Sequence, residues 1–405
     1  MKKKPGILFV INDFNVGGAE VFILRLGKEM SKDYNVYITE IQDYNNNTEF
    51  KNRFLKGGFI HIPKKHSFSP VVDFFLWKMN ALFSKFGYLK FYNSVKFNYD
   101  KKYWIKNFTK NNISIVNSHL LSSDLFVFHE LSQFKLALDF KWVITIHSSY
   151  NMSNLSHLSI DEKKRNLEQA YNVFKSADAS VCVADLNKEI FSNFKEITPP
   201  TKIYLGYDPD EIDEDKEKDF SYLSKYFTFS MVARGIKEKG WEIAIEAFIK
   251  CLKYHDDIRL VLICPLTDYM ISLKDKYKHI KQIIFTDFLK SPVSVLKYTK
   301  VGLLPSYYSE SLPYSIIECL GNDVPVITSD RGELEDMIRE RDKFAGIILK
   351  NDQNNKPCIK ELEKSMLELI DNFEKYEEFK MNTKIVFDKF SIQKCSEKYS
   401  QIFTN

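Results

Sequence analysis

Two glutamates eight residues apart, Glu310 and Glu318, stand in the run PSYYSESLPYSIIECLGNDVPVITS from Pro305 to Ser329. Pro313 lies between them. Proline suits the first helical turn, because the N–H it lacks has no intrahelical partner there. A helix from Pro313 to about Gly321 leaves Glu310 in the preceding loop and Glu318 little more than one turn inside, about 7 Å along the axis. The helix N-terminus falls between the two carboxylates, and its free N–H groups and partial positive charge suit a phosphate. Carboxylates repel a phosphate, so both must reach past it to neutral hydroxyls. The chemistry served is capture of a ligand with phosphate in its middle and polyols at both ends, the constitution of a nucleotide-diphospho-sugar. The alternative is a solvated loop acid and a solvated helix acid, since charged residues are mostly exposed.

The elements around the pair decide where it sits. An apolar strand, Val301 to Leu304, precedes the helix and a second, Pro325 to Ser329, follows it. The acids then lie at the carboxyl end of a strand, where open parallel sheets bind ligands. The same alternation runs through the chain. Strands are expected at Gly6–Asn12, Asn35–Thr39, Phe59–Ile62, Ile113–Ser118, Lys141–His147, Ala179–Ala184 and Lys202–Gly206. Helices are expected at Val21–Met30, Ser122 to Phe134 and Asp161 to Lys175. An acidic stretch without apolar periodicity, Tyr207 to Phe220, reads as a linker. The alternation restarts at Phe227–Arg234, followed by a helix from Trp241 to about Tyr254 and strands at Arg259–Cys264 and Gln282–Phe288. Strands alternating with helices imply doubly wound parallel sheets. The expected fold is α/β with two Rossmann-like domains, 1–206 and 207–385, facing a central cleft, and a last helix, 386–405, packing back on the first domain.

Composition excludes several classes. With 405 residues, 44% hydrophobic and 28% charged, the chain is a globular protein of two to three domains. Six scattered cysteines without a Cys-x-x-Cys pair point to a reduced, cytoplasmic chain and away from structural zinc. The apolar run Ile7 to Ile11 is too short for a signal or a membrane span and reads as a buried strand. Asp208 and Asp210, and Asp213 and Asp215, have the Asp-x-Asp spacing that can hold a divalent metal on a diphosphate, but they sit in an acidic run and read as solvated linker. No metal site is expected. The net charge of +4 conceals an asymmetry: Lys51 to Asn112 carries 13 Lys/Arg against Asp73 and Asp100, a net +11, leaving −7 elsewhere. The same window holds 16 aromatic residues. It suits an anionic membrane surface, or else a Lys-rich segment covering the core. Nucleic acid is not expected, because no nucleic-acid motif accompanies the charge.

Four segments in order, FVINDFNVGGAEVFILRLGKEM near the front, ARGIKEKGWEIAIEAF at Ala233–Phe248, PSYYSESLPYSIIE at Pro305–Glu318 and PVITSDRGELEDMI at Pro325–Ile338, make the chain resemble retaining glycosyltransferases of family 4, which have the GT-B fold. The resemblance implies that Arg234 and Lys239 bind the donor diphosphate. Lys237 is a nearby substitute, but Gly240 follows Lys239 as in the family. Fixed cations there stabilise the charge that grows on the leaving group, Arg gripping two oxygens and Lys acting as a point charge. It implies that Glu310 contacts the donor sugar, Glu318 the ribose, and that Ser311 and Leu312 line the donor. Gly17 and Gly18, before a helix beginning near Glu20, are expected near the donor phosphates and acceptor, although a plain tight turn would also explain them. His147 resembles the histidine that faces the donor sugar; His119 ends the neighbouring strand and is a second candidate. Departures stand where the family has glycines: Pro265-Leu266-Thr267, Asp287, Ser311 and Asp323.

The expected activity is transfer of a sugar from a nucleotide-diphospho-sugar to an acceptor hydroxyl with retention, without metal or cofactor. The expected acceptor is a bacterial-type cell-surface glycan or lipid-linked glycan, met on the inner face of the membrane. A sugar-nucleotide epimerase and a non-catalytic partner subunit are the alternatives on the same fold.

Overall fold

The computed structural model describes residues 4–42, 47–64, 88–147, 159–211, 219–287, 289, 291–351 and 356–405, with the backbone alone over most of 88–99. The chain divides into two compact units. The first comprises Met1–Val183, Asn187–Ile203 and Ser396–Asn405, the second Ala184–Leu186 and Tyr204–Cys395.

The first unit is built on seven strands: β1 Gly6–Ile11, β2 Asn35–Glu40, β3 Ile60–His61, β4 Ile113–His119, β5 Lys141–Ile146, β6 Ala179–Cys182 and β7 Thr201–Lys202. They form one sheet in the order β3-β2-β1-β4-β5-β6-β7, every pair parallel. β1 is buried along its whole length, as an uninterrupted apolar run in a parallel sheet covered on both faces must be. The helix Gly18–Met30 follows it. Within that helix Gly27 leaves room for the buried Phe59 ring, which a Cβ there, at 2.0 Å, would displace. The helix Ile160–Ser176 opens with a capping box, in which the Glu162 N–H donates to Ser159 Oγ and the Ser159 N–H to Glu162 Oε2. The last residues of the chain belong to this unit: Thr145 Oγ1 bonds the Tyr399 hydroxyl at 3.1 Å, Lys141 Nζ donates to the Ile402 carbonyl, and Phe403 packs edge-on against Tyr34.

The second unit has β8 Phe227–Val232, β9 Ile258–Ile263, β10 Ile283–Thr286, β11 Val301–Leu304, β12 Val326–Ser329, a short antiparallel pair β13 Arg339–Glu340 and β14 Lys343–Phe344, and β15 Gly346–Leu349. Its sheet runs β10-β9-β8-β11-β12-β15, again parallel. Helices Trp241–Cys251, Asp268–Tyr277, Tyr314–Gly321, Ile359–Asp371 and Phe373–Phe387 belong to it. Trp241, Phe229, Phe248 and Leu260 are fully buried in its core.

Several expectations are corrected. The single helix over Ser122 to Phe134 is three segments, an α-turn Leu121–Phe126, a π-helical turn Val127–Leu131 and a 3₁₀ turn Ser132–Phe134. The strand expected from Lys202 to Gly206 pairs only over Thr201–Lys202. Tyr207 does not begin a solvated linker: it is buried, its N–H donates to the Phe390 carbonyl at 2.8 Å and its carbonyl accepts from Ile392. Residues 212–218 of that stretch, with Asp213 and Asp215, lie outside the described residues. In the basic aromatic segment Lys51–Asn112, residues 65–87 also lie outside them. Where it is described, Phe54, Phe59, Trp104 and Phe108 are core residues. Those rings cover the sheet, so the aromatic content there is packing. Among the described residues no helix is long and apolar enough to cross a membrane.

Candidate functional site

The second sheet reverses its strand order between β8 and β11, and the first between β1 and β4. Loops at the carboxyl ends of strands flanking a reversal splay apart and leave a crevice for ligands. In the second unit those two loops carry Arg234 and Lys239 after β8, and Glu310, Ser311 and Leu312 after β11.

The β8 loop ends in a 3₁₀ turn, Lys237–Lys239, and at Gly240 with φ +83°. A Cβ at Gly240 would stand 2.0 Å from the Pro305 carbonyl oxygen. Only glycine lets this turn lie against the β11 loop, and the Tyr307 N–H and Ser306 hydroxyl, both donating to the Glu238 carbonyl, tie the two loops together. Lys239 is thereby buried, 6% exposed, while Lys237 faces solvent. Lys239 Nζ donates to both carboxylate oxygens of Glu310, at 2.5 and 2.7 Å, and Glu310 is 4% exposed. The Tyr308 ring centroid is 5.4 Å from the same nitrogen. Behind Glu310, Gly332 at φ +62° brings the Glu333 N–H to its carbonyl at 3.0 Å.

The helix after this loop begins at Tyr314, with Pro313 at its N-cap and no side chain capping it. Pro313 thus precedes the first turn instead of joining it. Leu312 and Glu318 are buried and Ser311 half-buried. Burial pushes the Cys319 thiol up, and the neighbouring Glu318 carboxylate adds to it. Neither glutamate is a solvated acid. Arg234 is exposed, and its guanidinium has no partner among the described residues. Its carbonyl accepts from Trp241 Nε1 at 3.0 Å, so the backbone is fixed while the side chain stays available.

Two glycine replacements have a structural reason. Thr267 caps the helix Asp268–Tyr277 by accepting from the Met270 N–H, and its hydroxyl donates to the Gly235 carbonyl at 2.7 Å. Asp323 occupies φ +58°, a left-handed conformation that aspartate tolerates better than most residues. Ser311 is not among the residues with positive φ.

In the first unit, His119 ends β4 and His147 follows β5. His119 is 1% exposed. Its Nδ1 lies 2.8 Å from His147 Nε2 and its Nε2 lies 2.9 Å from Asn117 Oδ1. Burial holds both imidazoles below their usual value, His147 at about 3, and for His119 the charge of His147 acts in the same direction. Leu120, the next residue, is at φ +73° and ψ 152°, backbone space almost reserved for glycine. The helix after β1 starts at Gly18, not near Glu20, with Gly17 as its N-cap. At its N-terminus Gly18 is exposed, while the Glu20 carboxyl folds back so closely that a Cβ on Gly17 would lie 2.4 Å from Oε2. Burial, with Asp13 adding to it, pushes the Glu20 carboxyl up to about 7.

Sequence reasoning passed over Asn117, Glu20 and Glu333. An asparagine inside the apolar run ISIVNSH was the one signal for the first; the other two are surface-type residues whose burial depends on distant loops. Among the described residues no group of three or more His, Cys, Asp or Glu side chains could hold a metal.

Residues 212–386 match the family described as glycosyl transferases group 1. No curated protein sequence matches the chain. Among solved structures, Anabaena Alr3699/HepE in complex with UDP and glucose is 14% identical, with a TM-score of 0.70 over 99% of each chain. A glycosyltransferase from Rickettsia africae ESF-5 is 16% identical, TM-score 0.70, over 99% of this chain and 98% of that one. Sucrose-phosphate synthase from Thermosynechococcus elongatus is 13% identical, TM-score 0.68, over 99% and 98%. At these identities the likeness concerns the fold, which is GT-B. The family match falls within the second unit, and the chain is a glycosyltransferase.

Proposed function

We propose that this glycosyltransferase moves a sugar from a nucleotide-diphospho-sugar to an acceptor hydroxyl with retention of configuration and without a metal. The observation that carries the reading is the buried Lys239–Glu310 pair at the strand reversal of the second sheet, with Arg234 exposed on the same loop as Lys239. Arg234 grips two diphosphate oxygens. Lys239 spends two N–H bonds on Glu310 and has a third for the diphosphate. The two roles are linked, since the carboxylate that receives the sugar hydroxyls also aims the ammonium that receives the leaving group. Glu318 takes the ribose, and Ser311 and Leu312 lie at the uncapped helix end between them. Gly17 and Gly18, with His147, serve the sugar and acceptor. Positioned cations lower the barrier by meeting charge that develops only as the glycosidic bond breaks. The departing diphosphate takes the acceptor proton on the same face, which preserves configuration.

We assign the acceptor to a cell-surface or lipid-linked glycan, approached on the inner face of the membrane. The net charge of Lys51–Asn112 supports that contact; its described aromatic residues do not. Flotation with anionic liposomes tests this part, and binding indifferent to anionic lipid and salt refutes it.

The decisive experiment is a panel of sugar nucleotides, starting with UDP-glucose, scored for nucleoside diphosphate release with membrane extract as acceptor. Release that persists in chelator is expected. Turnover without net diphosphate release identifies an epimerase instead, and binding without turnover of any donor sinks the catalytic reading.

A further inference from the structure

Asn117 is fully buried in the middle of β4. Its Nδ2 donates to the Val143 backbone carbonyl at 2.9 Å and to Thr145 Oγ1 at 3.1 Å. A carbonyl only accepts, so the amide can be oriented in one way, with Oδ1 toward His119. That oxygen also only accepts, so the His119 ring carries its proton on Nε2. In a neutral ring the other nitrogen is then an acceptor. The atom facing it, His147 Nε2, must donate. One backbone carbonyl thus sets, through two side chains, which nitrogen of His147 bears hydrogen.

We propose that Asn117 and His119 are positioning residues that hold His147 as a neutral imidazole, protonated on Nε2 and offering only an acceptor, Nδ1, to its ligand. His147 is half-buried at the carboxyl end of β5, and Nδ1 has no partner among the described residues. Burial of both rings, which keeps them uncharged, favours the same arrangement. Phe22 packs edge-on against His147 with ring centroids 5.6 Å apart, which holds its plane. The ligand group that meets Nδ1 must therefore donate a hydrogen bond. A hydroxyl does so; an ionised phosphate or carboxylate oxygen has no proton to give and meets a lone pair. His147 therefore reads a donor such as a sugar hydroxyl or N–H, and not the ionised diphosphate. Assigning that group to a transferred or receiving sugar rests on the glycosyltransferase mechanism proposed above.

The test is a long-range nitrogen–proton correlation spectrum of the full chain labelled with 15N-histidine, recorded at pH 7 with and without UDP-glucose. Both histidines are expected to show a protonated Nε2 and an unprotonated Nδ1. UDP-glucose should move the His147 Nδ1 signal without protonating it. A His147 protonated on Nδ1, or on both nitrogens, overturns the inference. In Asn117→Leu the Nδ1-protonated form should appear in both rings, with kcat falling at least about tenfold, as when a catalytic histidine is held in the wrong tautomer. Unchanged tautomers in that variant also overturn the inference. The wild-type spectrum needs no variant, so a failure of Asn117→Leu to fold leaves the test intact. Correct tautomers with no turnover of any donor sink the transfer mechanism alone; turnover with the wrong tautomers sinks this inference alone.

Discussion

Replacing Lys239 by methionine tests whether the ion pair at the strand reversal is a structural bond as well as a binding device. The side chains are 8% and 6% exposed, and two bonds of 2.5 and 2.7 Å join them. Coulomb attraction at that separation is about 6 kcal/mol for an effective dielectric of about 20. Desolvation of the two ions cancels much of this in the intact pair. Methionine removes the attraction but leaves the Glu310 carboxylate stranded, so Lys239→Met should lose about 3–5 kcal/mol of stability. Adding Glu310→Leu removes the stranded charge, and the double variant should recover most of that loss. Hydrogen exchange on peptides covering β8 and β11, followed across urea, reads the opening free energy of this unit separately from the other. A single variant within about 1 kcal/mol of wild type, or a double variant no better than the single, refutes the reasoning. The pair would then behave as an exposed one.

Three further outcomes are expected. Arg234→Ala should leave stability within about 0.5 kcal/mol, because the side chain is exposed and without a partner among the described residues, yet cut kcat/KM for donor by at least about 100-fold; steady-state kinetics beside a melting curve decide. Asp323→Gly should stabilise the second unit by roughly 0.5–1 kcal/mol by relieving φ +58°; the ion pair it removes, Asp323 with Lys384 at 3.8 Å, is exposed and weak, and a loss of stability on denaturation would contradict the strain argument. His147 has a folded value of about 3 against 6.5 for the free side chain, so the unfolded chain binds the extra proton between these values and stability falls as pH drops through 6.5 toward 3. From pH 8 to pH 5 the wild type should lose about 2 kcal/mol more than His147→Asn; parallel pH profiles of urea midpoints for the two proteins would refute the assignment.

The fold was legible because parallel strands buried on both faces are written as short apolar runs with turn residues between them. β1, β8, β11 and β12 fall within a residue or two of their expected places. The loop acids were legible for the same reason: Val301–Leu304 and Pro313 placed Glu310 and Glu318 at a carboxyl end without tertiary knowledge. The pairing of Lys239 with Glu310 was not, because 71 residues separate them and only the approach of Gly240 to Pro305 brings them together. Nor was the burial of Lys239 and exposure of Lys237, since the two stand two residues apart in one basic turn. The segment Ser122–Phe134 misled because its apolar period is helical while its backbone changes pitch at Val127. Tyr207 misled because its neighbours are acidic; its burial depends on Phe390 and Ile392, far along the chain.

The passage of the chain through its two units has a consequence for its synthesis. Tyr399 and Phe403 complete the packing around Thr145, Phe22 and Tyr34, yet they are made after the 192 residues from Tyr204 to Cys395. At roughly 5–20 residues per second, the amino-terminal half waits roughly 10–40 s on the ribosome with an apolar seam open, while the later half can already close. A stalled or clipped product lacking Ser396–Asn405 would keep that seam open. Burial of Tyr399 and Phe403 thus ties completion of the first unit to a segment made after the whole of the second.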